Sequence, residues 1–207
     1  MPGLNLTRDE ATQRSAALRV DTYDIDLDFS AGGPTFDSVT VIRFNATRPG
    51  DSTFVDLVAT RVREVTLNGR VLDPATAYVD GRITLDGLAA ANEVRIAADC
   101  AYSNSGQGLH RTIDPTDGRT YLYTHFEVPD ARRLYATFEQ PDLKAAFRFT
   151  ITAPAGWTVL SNSPTPTPTV NGAVATWAFE PTPRISTYIT AVIAGDYHIV
   201  HDSHTTI

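Results

Sequence analysis

Tyr23-Asp24-Ile25-Asp26-Leu27-Asp28-Phe29 reads YDIDLDF, an unbroken alternation of apolar and acidic residues. A period of two places Tyr23, Ile25, Leu27 and Phe29 on one face and the three aspartates on the other. The stretch is therefore a strand with one buried and one wet side. Three aspartates on a single strand face do not make a cation site, because calcium-type sites draw ligands that converge from several chain positions. A solvated strand face accounts for them. Gly32-Gly33-Pro34 then turns the chain into a second alternating run, 36–47, and the two form a long hairpin.

Outward from this pair the same grammar repeats. Strands are expected over 53–58, 61–68, 83–85, 93–102, 146–152, 158–161, 173–179 and 188–193. Asn68-Gly69 and Asn171-Gly172 are two-residue hairpin turns, since both residue types accept positive φ. Pro154-Ala155-Gly156 is a further turn, and Gly106-Gln107-Gly108 an irregular connection. The proline-rich run 164–168 is a stiff extended loop. One helix interrupts the pattern. Thr7-Arg8-Asp9-Glu10 is a capping box, and the helix runs over about 7–17 with Asp9 and Glu10 at its positive end. The expected fold is all-β, a sandwich or open curved sheet assembly with one short N-terminal helix, forming a single domain over 1–207. The final HDSHTTI carries no turn, cap or charged tail and reads as a boundary inside a larger protein.

Composition narrows the partners. Lys and Arg number 17 against 24 Asp and Glu, a net charge of −7. Duplex binding needs a basic face to displace counterions, so nucleic acid is excluded as a partner. No apolar run approaches the roughly 20 residues of a membrane span. The N-terminus lacks the basic and apolar regions of a signal peptide, and a cytoplasmic location is expected. Cys100 is the only cysteine; it is read as a small buried hydrophobe, with no internal disulfide possible.

Catalytic and metal signatures are sparse. His198, His201 and His204 are spaced by three, so on a strand His201 would point away from the other two. His110 and His125 have no ligand-spaced neighbour. There is no His-Glu-x-x-His and no Gly-x-Ser-x-Gly. No catalytic residue and no metal ligand is assigned in this chain. The segment YLYTHFEVPDARRLYATFEQPDLKAAF, 121–147, stands out instead. An apolar strand, 121–126, delivers Glu127 at its end, followed by Arg132 and Arg133 and an aromatic run to Pro141. From composition alone Glu127 is a surface carboxylate paired with Arg132 or Arg133, worth little if exposed. Tyr121, Tyr123 and Tyr135 fit either an exposed aromatic platform or buried packing.

The same segment resembles the signature of gluzincin aminopeptidases of the aminopeptidase N type. There a Gln-x-Glu strand end precedes Ala-Arg-Arg and an aromatic-acid-Pro-x-x-Lys-Ala-x-Phe run. The corresponding residues are His125-Phe126-Glu127, Ala131-Arg132-Arg133 and Phe138-Glu139-Gln140-Pro141-Asp142-Leu143-Lys144-Ala145-Ala146-Phe147. Asn5 to Ala11 with Tyr23 to Leu27 resembles the start of the actinobacterial type. Gly108-Leu109-His110-Arg111, Leu160-Ser161-Asn162-Ser163-Pro164 and Tyr188 to Tyr197 resemble further family segments, in the same order. Each is weak alone; together they cover nearly the whole chain.

The resemblance implies the saddle-shaped N-terminal β domain of a zinc metalloaminopeptidase, cut before the catalytic domain that would hold zinc through His-Glu-x-x-His. It implies peptide substrates with a free N-terminus, Glu127 as the anchor of their α-amino group, and His125 beside it in the pocket for the first side chain. His125 departs from the family's glutamine, and Glu139-Gln140 from its Asp-Glu pair, which is expected to serve local structure. The chain alone is expected to be inactive, zinc belonging to the full-length parent and the missing catalytic domain being its partner. Alternatives are a noncatalytic scaffold relative, an epoxide-hydrolysing relative, or a stand-alone β-sandwich binding module.

Overall fold

The structure, a computed structural model, describes residues 5–200 and 202. Helix α1 (Arg8–Ala17) is followed by strands β1 (Leu18–Asp28), β2 (Thr35–Ala46), β3 (Thr53–Asp56), β4 (Arg61–Leu67) and β5 (Arg70–Leu72). One helical turn, α2 (Pro74–Ala77), precedes β6 (Tyr78–Val79), β7 (Arg82–Leu85), β8 (Ala91–Ala101), β9 (Gly108–Ile113) and β10 (Thr120–His125). Then come β11 (Ala146–Pro154), β12 (Thr158–Ser161), β13 (Thr169–Asn171), β14 (Val174–Ala178) and β15 (Val192–Gly195). Two 3-10 turns, Ala131–Arg133 and Thr187–Ile189, lie in the connections on either side of β11–β14.

The strands form an eight-stranded sheet in the order β13-β14-β11-β1-β2-β8-β4-β5, a four-stranded sheet β12-β15-β10-β9, and a three-stranded sheet β3-β7-β6. The expected all-β class and the β1–β2 hairpin are borne out. Tyr23, Ile25, Leu27 and Phe29 are all buried, at 2% exposure or less. β1 is central, pairing antiparallel with β2 and parallel with β11. On the wet face Asp24 is ion-paired: it meets Arg43 of β2 at 2.5 Å and Arg148, its register partner on β11, at 3.5 Å.

The apolar faces of the three sheets feed one continuous core. At its centre Tyr23 stacks on Phe147 with ring centroids 4.6 Å apart, and Tyr135 meets Tyr23, Phe147 and Phe149 edge-on. Tyr135 comes from no strand. It belongs to 134–140, an irregular stretch in which every residue is buried. Several of its backbone polar groups find partners, as burial demands. Thr137 and Asp56 exchange backbone bonds of 2.7 and 3.0 Å, and the Tyr23 hydroxyl accepts the Phe138 N–H at 3.1 Å.

Helix α1 has its expected capping box, with the Thr7 hydroxyl accepting from the Glu10 N–H and the Glu10 carboxylate from the Thr7 N–H. It docks through polar groups. Arg14 is its one buried residue, its guanidinium 4.0 Å from the Phe54 ring centroid and 5.1 Å from that of Phe138. Gln140 donates to Ala11 O and Ser15 Oγ on the same helix.

Three local expectations are corrected. The strand expected over 188–193 is a 3-10 turn to Ile189, and β15 begins only at Val192. The run TYITAVI has strand propensity, but the Thr187 carbonyl accepts the Thr190 N–H and hydroxyl, which closes a turn. At Asn171-Gly172 the hairpin register pairs Asn171 with Val174, so the loop is Gly172-Ala173, and only Gly172 has positive φ. Gly108 is not loop but the first residue of β9, whose burial does not alternate and so left no periodic signal. Asn68-Gly69 has positive φ at both residues, as expected. Cys100 is buried and its thiol is pushed up to about 12, chiefly by loss of hydration.

Candidate functional site

Strand β10 lies between β9 and β15, hydrogen-bonded on both edges. Its C-terminal end is held by Phe126, which is buried and packs edge-on against Tyr135 at 6.4 Å. Glu127 is the next residue, exposed, at the first position of a tight turn in which the Asp130 N–H reaches the Phe126 carbonyl at 3.2 Å. The turn contains a cis Val128–Pro129 bond.

The pairing expected from composition does not form with Arg133. Its Nε is 2.6 Å from Asp130 Oδ1, three residues back. No ion pair among the described residues involves Glu127. His125, two positions earlier, is exposed and lies across from Gly108 on β9. It shares a strand face with Tyr123, 40% exposed, whose ring lies 4.8 Å from that of His110. Tyr135 is fully buried, and so the three-tyrosine platform loses a member.

Behind the turn is a cleft of about 320 Å³. Val128, Pro129, Asp56, Arg132, Glu139 and Gln140 contribute to its walls. Glu139 is 8% exposed, and both its oxygens are used: Oε2 accepts the Arg132 N–H at 2.7 Å and Oε1 the Thr187 hydroxyl at 3.0 Å. Burial pushes its carboxyl up to about 7, against the two hydrogen bonds that favour the ion. Asp56, also buried, is raised by desolvation and opposed by Arg14 and Arg82, which lie 3.8 and 3.5 Å away. The Glu139-Gln140 pair thus serves structure, as expected from its position. What sequence reasoning missed is that Glu139 is joined to the Glu127 turn; the only trace was the acid ahead of Pro141.

Among the described residues, no group of three or more His, Cys, Asp or Glu converges as metal ligands. The described residues offer no set of ligands for a zinc ion. His201 and His204 lie outside the described residues. No helix among the described residues is long and apolar enough to cross a membrane.

Residues 20–189 match the family described as the peptidase M1 N-terminal domain. The chain belongs to that family. The M1 domain is 59% identical over 204 residues to an aminopeptidase N of Streptomyces lividans, covering 97% of this chain and 23% of the relative. It is 27% identical over 185 residues to a protein named probable aminopeptidase 1 in Sulfurisphaera tokodaii, covering 89% and 22%. An aminopeptidase N of Acetobacter pasteurianus is 37% identical over 86 residues. The M1 domain spans less than a quarter of the length of the first two relatives.

Proposed function

We propose that this chain is one folded domain that recognises substrate in a zinc-dependent aminopeptidase, with Glu127 holding the α-ammonium group of a peptide. The zinc and the residues that activate water belong to the part of the polypeptide outside this chain. The observation that carries the reading is a carboxylate exposed at the end of a doubly paired strand, with no ion pair to any described residue. A charge held ready on a rigid element is placed to meet a cation from outside. Fixing the free amine limits which peptide bond reaches the reacting centre, so binding becomes specificity for position. His125, on the strand face that leads to Glu127, borders the first side chain of the substrate.

The test is Glu127→Ala in the intact polypeptide. Covered by the rest of the enzyme and by substrate, the ammonium–carboxylate pair is dry, and removing one partner of such a pair costs about 3–5 kcal/mol. kcat/KM for peptides with a free amine falls by at least a hundredfold, while folding and zinc content are unchanged. A drop of less than about threefold returns Glu127 to the role of a surface carboxylate.

A further inference from the structure

Glu127 is suspended between two fixed points. One is Phe126, buried directly after β10. The other is the 3-10 turn Ala131–Arg133, reached through Asp130, whose carbonyl accepts the Arg133 N–H at 3.0 Å. The peptide groups of Arg132 are gripped from opposite sides. Its N–H goes to Glu139 Oε2 at 2.7 Å, and its carbonyl accepts the Val58 N–H at 2.7 Å.

The second oxygen of Glu139 reaches elsewhere. Oε1 takes the hydroxyl of Thr187, on the 3-10 turn that leads into β15. β15 pairs with β10, with Tyr121 opposite Gly195 and Tyr123 opposite Ile193, and its Val192 N–H donates to Thr124 Oγ1 at 2.9 Å. The links therefore form a closed ring: β10, the Glu127 turn, Arg132, Glu139, Thr187, β15 and back to β10. Glu139 joins its two halves through the two oxygens of one carboxyl group. Cutting it removes one of the two backbone grips on Arg132, at the trailing end of the Glu127 turn, without touching the leading end.

We propose that Glu139 is a positioning residue for Glu127, holding the turn 127–130 in place by bridging the Arg132 N–H and the Thr187 hydroxyl. The role rests on the reading of Glu127 as the amine anchor. It requires two hydrogen bonds rather than a charge, so a carboxamide can fill it: Oε1 of glutamine accepts from Arg132, and its Nε2 donates to the Thr187 oxygen. A carboxylate moved from its place pairs less well with the amine of the substrate, so the loss is read in KM.

Glu139→Ala and Glu139→Gln are made in the intact polypeptide, with Thr187→Val as a milder cut at the other end of the bridge. Two readouts are taken: amide hydrogen exchange over 126–134, and KM and kcat for peptides with a free amine. Expected are exchange at least tenfold faster and KM at least tenfold higher in Glu139→Ala, with kcat within about threefold. Glu139→Gln restores both, and Thr187→Val falls between. Unchanged exchange over 126–134 in Glu139→Ala and Thr187→Val overturns the proposal, as does failure of glutamine to restore it. If Glu139→Ala does not fold, Thr187→Val against Glu139→Gln decides by the same criteria. Faster exchange with unchanged KM, in an enzyme where Glu127→Ala is also silent, upholds the clamp on the turn and rejects the amine reading instead. Faster exchange with unchanged KM, where Glu127→Ala is damaging, overturns the positioning role.

Discussion

Gly108 and Arg133 are in contact so close that a Cβ on Gly108 would stand 2.7 Å from the Cβ of Arg133 and 2.8 Å from its Cδ. The two residues belong to different parts of the site. Gly108 opens β9 across from His125, while Arg133 ends the 3-10 turn that follows the Glu127 turn. Gly108 also has φ of +63°, in the left-handed region. Both features require glycine: the conformation costs an L-residue about 1–2 kcal/mol, and overpacking about 1–3 more.

Gly108→Ala is accordingly expected to lower the unfolding free energy by about 2–5 kcal/mol. Urea denaturation followed by tryptophan fluorescence measures it. The same change at Gly118, which has positive φ but nothing within 4 Å of its Cβ, should cost only the conformational part. Equal losses at the two positions would show that the contact with Arg133 yields without cost.

The buried carboxyl of Glu139 gives the fold a pH dependence of definite sign. Burial raises it from 4.5 to about 7, so between those values the folded chain keeps a proton that the unfolded chain has lost. Unfolding then releases protons, and stability falls as pH rises through this window. The groups that face Glu139 are Asp56 from β3, which raises it, Arg132 from the 3-10 turn, which lowers it, and Tyr135 from the core segment. Arg14 from α1 and Tyr23 from β1 also face Glu139, and Arg14 and Arg82 from β7 act on Asp56. At about 1.4 kcal/mol per unit, the effect is on the order of 3 kcal/mol at most. Glu139→Gln should flatten the slope between pH 5 and 8, leaving the variant the more stable at pH 8. A wild-type slope kept by the variant would assign it to other groups.

The strands were legible because their signals are local. The YDIDLDF alternation, the Asn68-Gly69 turn and the capping box each specify structure within a few residues, and each holds. The stretch 134–140 was not legible in the same way. Its residues are buried by contacts with β1, β3 and α1, more than 80 positions away in sequence, and they follow neither period. The same reason hides the site's support. Glu127 is visible as a carboxylate at a strand end, but the partners that fix its turn, Gly108, Val58, Glu139 and Thr187, come from four separate segments. The turn at Thr187 was misread because β-branched residues signal a strand whether their hydroxyls are used in a ladder or in a core bond.

Tyr23 links the first strand to that hidden segment. Its hydroxyl accepts from the Phe138 N–H at 3.1 Å and from the Thr137 hydroxyl at 3.4 Å, in a site with no exposure. Tyr23→Phe keeps the stack on Phe147 but leaves the Phe138 N–H unpaired. The expected loss is about 1–3 kcal/mol, the penalty of an orphaned buried donor. Tyr23→Phe within 0.5 kcal/mol of wild type in urea denaturation would mean that the segment rearranges to find another acceptor.

Glu127 should behave in the opposite way, and the contrast separates its two readings. If it were a structural carboxylate, its removal would be felt in the fold. It is exposed and has no ion pair with any described residue, while the nearby cation of Arg133 is held by Asp130. Surface substitutions away from packed or paired groups change stability by about 0.5 kcal/mol or less. Glu127→Ala and Glu127→Gln are therefore expected to unfold at the same urea concentration as the wild type, to within that figure. Asp130→Ala, which releases Arg133 and leaves part of a buried pair open, should cost more, about 1–3 kcal/mol. With stability unchanged, any loss of kcat/KM in the Glu127 variants reads as lost contact with substrate rather than as loss of fold. Glu127→Gln, which keeps a hydrogen-bond acceptor but not the charge, should then fall between wild type and Glu127→Ala for free-amine peptides. It should not differ from Glu127→Ala if the group contributes through charge alone. Destabilisation of both Glu127 variants by 1.5 kcal/mol or more would place the carboxylate in the structure of the turn and remove the basis for treating it as held ready for a ligand.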